Sequence, residues 1–266
     1  MKTPVILLLS AAIVLSSCNI KTDSGSIFNV FPKEGKGPVK EKEVSIDFNG
    51  IRVVQSIKAE VVRSDTERVV ISAPENLLDD VLVEKQDGKV YIHIRSGVNI
   101  STGNIRAKIY AKDFTALEAA ASGIIDVKDK FLLDRADIKV SSSGSIQADD
   151  LEANQMDIQV SSSGIFTGKI WAVDLTAKTS SSGVANLSGK AKSARISVSS
   201  SGSLNGRSLT VQDADLKASS SGVMSLSVSD VLNASASSSG SIAVKKAGPL
   251  SVRTANESSS GSISVQ

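Results

Sequence analysis

The sequence is poor in the residue types that most often carry catalysis or crosslinks. Its 266 residues include one cysteine, one histidine and one tryptophan, and aromatic residues make up 3% of the chain. A single cysteine excludes an intramolecular disulfide, so stability must come from a packed core. The single histidine, His93, leaves a serine nucleophile without an evident base, and the apolar alternation around it predicts a strand with His93 on the polar side. We predict no catalytic residue, no cofactor and no bound metal.

Strong charge and helical periodicity are also missing. Thirty basic residues nearly balance 28 acidic ones, which gives a formal net charge of +2. A near-neutral chain offers no electrostatic attraction for nucleic acid, so a nucleic-acid partner is not expected. The chain after the first residues has no long stretch with apolar residues at a 3.6-residue period, and we therefore expect little helix.

The N-terminus has the pattern of a bacterial export signal. Lys2 precedes a mostly apolar segment, Val5–Val14, which ends in Leu15-Ser16-Ser17-Cys18. The apolar segment is too short to span a membrane, and the apolar-small-small-Cys ending resembles a lipobox. We predict a signal peptide over residues 1–17, lipidation of Cys18 and attachment to the outer membrane of the cell envelope through lipid. An ordinary signal peptide with a chance cysteine is the alternative.

Two further segments precede the most regular part of the chain. Residues 18–42 combine glycine and proline with charged residues and predict a flexible tether. Residues 43–113 alternate apolar and polar positions and predict an N-terminal β region that caps the rest of the domain. Within it, Asp87-Gly88 predicts a hairpin, and the segment entered through Pro74 predicts one helical turn.

A repeat of about 20 residues fills the second half of the chain. Seven of its eight regularly spaced glycines follow three consecutive serines. This period is typical of a β-solenoid with one repeat per coil. We predict an all-β fold, a parallel β-helix or β-roll over residues 114–266. The repeated glycines, expected at a bend or a narrow point, are Gly123, Gly144, Gly164, Gly183, Gly202, Gly222, Gly240 and Gly261.

The direction of the serines depends on whether the strand runs through the motif unbroken. In an unbroken strand Ser142 shares the inward face with Val140 and Gly144, and Ser141 and Ser143 face outward. We expect this arrangement, although a strand that bends at Ser-Gly is the alternative. The predicted outward serines form a candidate binding face: Ser141, Ser143, Ser161, Ser163, Ser199, Ser201, Ser219 and Ser221.

Several motifs together resemble a known family. These are the segment 73–78, the strand after Asp87-Gly88, and Leu117–Gly123 followed by serial Ser-Gly repeats. In this order they resemble the head GIN domain of autotransporter adhesins, which are often lipoproteins. The resemblance covers roughly residues 43–250. It implies a solenoid-like all-β fold at the cell envelope and brings no catalytic residues.

Three functions are compatible with the sequence. The favoured one is a non-catalytic adhesion module that binds a polysaccharide or a matrix protein along its repeats. The second is an envelope assembly protein that forms homo-oligomers through its last coil, because no segment after Gly261 is long enough to cap that coil. The third is a polysaccharide-degrading enzyme that uses Asp149-Asp150 or Asp213 and Asp215 as paired carboxylates.

Overall fold

The computed structural model describes residues 32–102 and 104–266 and is nearly all-β, with 67% strand and 3% helix. It forms a parallel β-solenoid of about 8 turns with coils of roughly 20 residues, as predicted. The predicted signal peptide (residues 1–17), the predicted lipidation site Cys18 and the first part of the predicted tether lie outside the described residues.

The first half of the fold consists of short strands. They are β1 Lys33–Glu34, β2 Val39–Ser45, β3 Gly50–Val53, β4 Lys58–Arg63, β5 Arg68–Pro74, β6 Val81–Gln86, β7 Lys89–Ile94, β8 Ile100–Thr102, β9 Arg106–Ala111, β10 Ala116–Ala119 and β11 Ile124–Val127. A 3-10 helix, Glu75–Asp80, follows Pro74, and Asp87-Gly88 turns the chain between antiparallel β6 and β7. Both of these local predictions are confirmed.

The second half consists of longer strands that run around the corners of the coils. They are β12 Phe131–Val140, β13 Ser145–Val160, β14 Ile165–Thr179, β15 Val184–Val198, β16 Ser203–Ala218, β17 Val223–Ala236, β18 Ser241–Lys246, β19 Ser251–Glu257 and β20 Ser262–Val265. Consecutive coils pair in parallel register from β12 to β20.

Part of the predicted tether is ordered as strand. Residues 32–42 contain β1 and the first part of β2, and β2 pairs antiparallel with β5 over its whole length. The sequence predicted a linker here because the segment contains glycine and proline and has no apolar periodicity. The backbone hydrogen bonds to β5 hold it instead, and its side chains remain largely exposed.

The first coils do not follow the order of the sequence. β3 lies between β7 and β10, and β4 lies between β9 and β11, all in parallel register. The strands β3 and β4 therefore stack as a coil on β7 and β9, within the segment predicted to cap the solenoid. Antiparallel β6 on β7 and β5 on β9 close this end of the stack.

The core of the solenoid is a set of apolar columns. Equivalent residues of successive coils are aligned, as in the buried column Ile146, Phe166, Ala185, Leu204, Met224 and Ile242. Leu151 and Leu209 are fully buried and fill the core from a second wall. The pairing shifts register near residues 148–151 and 206–210, far along each coil from the serines. Length variation is therefore taken up on that side of the coil.

The last coil ends the stack without a covering strand among the described residues. Its apolar residues are more exposed than their equivalents below: Val252 is 44% exposed, whereas Leu232 is fully buried. Glu257 occupies the inward position that Ala236 fills in the coil below. Its carboxylate accepts a hydrogen bond from the Ile263 backbone N–H at 2.5 Å. An inward charge of this kind discourages pairing with another sheet edge.

Candidate functional site

Each serine motif is a tight turn at one corner of a coil. In Ser141–Gly144, the Gly144 N–H donates to the Ser141 carbonyl oxygen at 2.8 Å. Ser142 and Ser143 both have left-handed backbone, with φ of 49° and 61°. These are the features of a type I′ turn. The predicted inward direction of Ser142 is wrong, because the strand ends at Val140 and the turn directs both central serines to solvent.

The turns are joined to one another along the solenoid. The Ser143 N–H donates to the Ser162 carbonyl oxygen at 3.1 Å, and the Ser163 N–H donates to that of Ser181 at the same distance. The same bond recurs up to Ser239 and Ser259. The backbone of the corner is therefore one continuous hydrogen-bonded ladder, and its side chains are free to face outward.

The glycines are needed for close approach between coils. A Cβ on Gly144 would lie 2.5 Å from the Ala119 carbonyl oxygen, and one on Gly183 would lie 2.8 Å from that of Val160. Real Cβ atoms essentially never come within 3.0 Å of such atoms. The prediction of a narrow point is confirmed, but the positive φ values belong to the serines. The position that corresponds to Gly123 in the first turn is Ile57, and the described part of the coil below has no serine turn.

The second and third residues of the turns form an exposed surface that we call the serine ridge. Every residue of the ridge is exposed and has a positive φ. Successive coils place equivalent serines about 4.8 Å apart. The ridge comprises Ser142, Ser143, Ser162, Ser163, Ser181, Ser182, Ser200, Ser201, Ser220, Ser221, Ser238, Ser239, Ser259 and Ser260.

The hydroxyl groups of the ridge make no hydrogen bond to other described residues. Side-chain hydrogen bonds of described serines come from Ser64, Ser72, Ser188, Ser193, Ser227 and Ser229, all of which lie outside the turns. The ridge therefore presents two parallel columns of hydroxyl groups to solvent. Of the predicted face, Ser143, Ser163, Ser201 and Ser221 lie on the ridge, whereas Ser141, Ser161, Ser199 and Ser219 are half-buried first residues of turns.

A second column runs beside the ridge. It consists of the outward residue that comes after each turn. It begins with the cation Lys58 and continues with aliphatic and hydroxyl side chains: Ile124, Ser145, Ile165, Val184, Ser203, Val223 and Ser241. Ile165 is 44% exposed and Val223 is 50% exposed. We call this set the flanking column. It gives the hydroxyl surface an apolar border.

The two candidate acidic pairs lie on different coils, Asp149 and Asp150 on β13 and Asp213 and Asp215 on β16. Asp213 and Asp215 line a groove of about 520 Å³ on the wall between the ridge and the register shifts, beside Arg195. Asp149 accepts a hydrogen bond from Gln147, and Asp150 lies 3.9 Å from Lys169. Asp149 and Asp150 thus make local polar contacts at the surface.

The rare side chains are also at the surface. The ring of His93 stacks on Tyr91 with centroids 4.2 Å apart, and its Nε2 lies 3.2 Å from Glu84. Trp171 is 45% exposed, with Glu152 and Lys190 beside it on neighbouring strands. Within residues 32–102 and 104–266, no group of three or more His, Cys, Asp or Glu side chains could hold a metal ion. Nor does the described part of the chain contain a helix long and apolar enough to cross a membrane.

The family is decided by a match over most of the solenoid. The model of the family described as "putative auto-transporter adhesin, head GIN domain" matches residues 47–248. The chain belongs to this head GIN domain family. The resemblance noted in the sequence is confirmed, and family membership indicates an adhesin-type protein of the cell surface or envelope.

Solved structures share the head GIN fold. A protein of Parabacteroides distasonis described as a "putative adhesin" is 22% identical to this chain, with a TM-score of 0.78. The match covers 88% of this chain and 99% of that protein. A protein of the same organism described as a "putative lipid binding protein" is 23% identical with a TM-score of 0.80, covering 89% and 100%. A protein of Bacteroides fragilis, also described as a "putative adhesin", is 13% identical, with a TM-score of 0.64. The match covers 88% of this chain and 100% of that protein. No protein of curated function matches the sequence.

Part of the head GIN surface could not be found from the repeat alone. The alternation rule assigned Ser141 to the outward face and Ser142 to the core, and the turn reverses the second assignment. Paired serines directly before a glycine that cannot carry a side chain are a signal for such a turn. The sequence does not state the φ values, and serine is not a residue that usually marks left-handed backbone.

Proposed function

We propose that the head GIN domain of this protein is a non-catalytic adhesion module that binds a polysaccharide along the serine ridge. The observation that carries the proposal is the choice of serine at strained positions. Left-handed backbone costs a non-glycine residue roughly 1–2 kcal/mol, and asparagine, aspartate and glycine tolerate it better. The solenoid nevertheless places two serines there in each of seven successive turns.

The strain has no compensation from hydrogen bonds within the protein. The ridge hydroxyl groups have no partner among the described residues, so serine does not stabilise the turn through its side chain. Strained backbone of this kind tends to occur where function requires it. Hydroxyl groups that both donate and accept are suited to the hydroxyl groups of a sugar polymer.

The geometry of the ridge suits a ligand that is itself repetitive. Each coil adds the same two hydroxyl groups at a spacing of about 4.8 Å, on a backbone held by the inter-turn hydrogen bonds. Such a surface binds a polymer through many weak contacts rather than one deep pocket. The flanking column provides aliphatic contacts for the less polar faces of sugar rings.

The proposal is tested by removing hydroxyl groups from the ridge without disturbing the turns. The variant Ser162→Gly, Ser181→Gly, Ser200→Gly keeps the positive φ and removes three successive hydroxyl groups. Binding to immobilised dextran, mannan, polygalacturonate and collagen is measured by surface plasmon resonance. We expect the wild type to bind a polysaccharide and the variant to lose most of that binding.

A matched control removes hydroxyl groups from another wall. Ser197 and Ser235 are on the strands that lead into the turns, outside the ridge, and Lys217 lies between them on the intervening coil. The variant Ser197→Ala, Ser235→Ala should bind like the wild type. Equal losses in both variants, or a ridge variant that binds normally, would remove the ridge from the proposal.

The proposal includes presentation of the domain on the cell surface by a lipid anchor at Cys18. Family membership supports an envelope location, and the Leu15–Cys18 motif supports lipidation. Protease treatment of intact cells should digest residues 43–266 without lysis. Detergent-phase partitioning should be lost in Cys18→Ser. Protection of the domain until the outer membrane is opened would contradict surface adhesion.

Self-association through the last coil is the second candidate. The exposure of Val252 at the open end favours it, and the inward Glu257 opposes it. Sedimentation of residues 32–266 over a range of concentrations distinguishes the candidates. A monomer that binds polysaccharide supports adhesion, whereas concentration-dependent oligomers without ligand support assembly.

A further inference from the structure

A groove at the N-terminal end of the flanking column contains an unusual pair of cations. Lys58 on β4 and Arg106 on β9 are direct neighbours in the parallel register of the two strands. Both side chains are exposed. Like charges directly opposite each other in a sheet are destabilising, so this pair is unfavourable in the absence of an anion.

The groove has a volume of about 820 Å³ and is lined by four acidic and four basic residues. Three carboxylates already have cationic partners: Glu43 with Arg68 at 3.6 Å, Glu60 with Lys108 at 3.6 Å, and Asp126 with Lys128. The fourth, Glu41, accepts a hydrogen bond from Ser72, which separates it from Arg106 in the sheet.

The two remaining cations of the groove, Lys58 and Arg106, have no ion-pair partner within 4.0 Å among the residues that the structure describes. In the neighbouring column of the same sheet, a cation lies opposite a carboxylate, because Lys108 pairs with Glu60 there. The groove thus pairs its charges in one column and leaves two adjacent cations in the next.

The position of the pair connects it with the serine ridge. Lys58 is the first member of the flanking column. It lies two residues after Ser56, which with Gln55 forms the first of the left-handed turns. The ridge consists of later turns of the same kind. Arg106 extends the same row by one strand. A polymer lying along the ridge therefore reaches both cations without leaving the surface.

We propose that Lys58 and Arg106 form an anion subsite that binds a carboxylate or sulfate group of an acidic polysaccharide. This inference rests on the proposed function, because the polymer is the ligand of the ridge. The guanidinium of Arg106 suits a two-oxygen anion, and Lys58 adds a second charge from the other side. The four carboxylates of the groove argue against a planar anionic membrane, which would place charged headgroups over them as well.

The subsite is tested with polygalacturonate and dextran sulfate as anionic probes and dextran as the neutral one. Arg106→Gln and Lys58→Gln should each weaken binding of an anionic probe about tenfold, the value of one charge-assisted hydrogen bond. Lys108→Gln is the matched control, since its cation already pairs with Glu60, and it should change the affinity far less. Binding to the anionic probe should fall as salt is raised.

A second readout separates a ligand site from a structural role. Without ligand, Lys58→Gln should keep or raise the melting temperature, because it removes a like-charge contact, whereas Lys108→Gln should lower it by breaking an ion pair. Loss of stability in Lys58→Gln without loss of anion binding would overturn the proposal.

The remaining outcomes are also decisive. Binding that depends on Lys58 and Arg106 but not on the ridge variant keeps the anion subsite and rejects the ridge. Binding that depends on the ridge alone rejects the subsite. Binding of phosphatidylglycerol vesicles without binding of either anionic polymer would replace the polysaccharide by a membrane surface and overturn the assignment.

Discussion

The interior coils and the last coil carry the same turn motif but differ in what lies above them. Ser180–Gly183 in the interior and Ser258–Gly261 at the end have the same left-handed serines and the same hydrogen bond that closes the turn. In the interior, the residue before the turn is buried, as Val160, Thr179 and Val198 are. In the last coil this residue is Glu257.

The comparison distinguishes the residues that the serine turn needs in order to form from those that the stacking of a further coil needs. The serine turn forms wherever a coil lies below it, since the ladder of backbone bonds continues to Ser259. Where another coil covers the residue before the turn, that residue is uncharged and buried, as Val160, Thr179 and Val198 are. At the end, the same position can hold a carboxylate that accepts a backbone hydrogen bond and hinders further stacking.

The largest expected difference between the two regions concerns their glycines. Gly183→Ala places a methyl group 2.8 Å from the Val160 carbonyl oxygen, with coils on both sides, and should destabilise the protein by about 3 kcal/mol. Gly261→Ala would meet the Ala236 carbonyl oxygen even more closely, at 2.3 Å. Because the last coil can move away, we expect a cost of less than about 1 kcal/mol there. Urea denaturation followed by circular dichroism measures both.

Gly206→Ala is the control for the loss of glycine itself. Its Cβ would lie 3.1 Å from the Ser225 carbonyl oxygen, a tight contact that requires a shift of a few tenths of an ångström, so its cost should be smaller than that of Gly183→Ala. If Gly261→Ala proved as costly as Gly183→Ala, the last coil would be held as firmly as the interior, and the comparison would fail.

A smaller effect is expected at Thr179. Thr179 occupies the buried column between Val160 and Val198 and is 2% exposed, and its Oγ1 has no hydrogen-bond partner within residues 32–102 and 104–266. A buried unsatisfied hydroxyl costs roughly 1–3 kcal/mol, and valine has nearly the same shape. Thr179→Val should therefore raise the free energy of unfolding by about 1 kcal/mol. No gain, or a loss, would show that the hydroxyl has a partner such as an ordered water.

The sequence predicted the architecture better than the surface. The glycine spacing is sufficient for the solenoid because coils of about 20 residues must place the glycines in register. It did not indicate that residues 50–63 insert between two later segments, because Ile57 replaces the glycine there. The direction of the serines was also missed at Ser142, since alternation holds only while the strand continues. The cation pair was hidden because Lys58 and Arg106 are 48 residues apart and meet only through the inserted coil.

The smallest expected effect tests the strain of the ridge by its sign. Ser200 has a φ of 49°, so Ser200→Gly relieves left-handed strain of roughly 1–2 kcal/mol. The larger conformational entropy of glycine in the unfolded chain offsets about 0.5–1 kcal/mol of this gain. We expect a net stabilisation of about 0.5 kcal/mol. Ser197 is equally exposed but lies within β15, where the same substitution relieves nothing and should destabilise by about 0.5–1 kcal/mol. Denaturation of the two variants side by side should therefore give shifts of opposite direction. Shifts of the same sign would mean that serine fits the turn without strain, and the argument that the ridge keeps its hydroxyl groups for binding would lose its support.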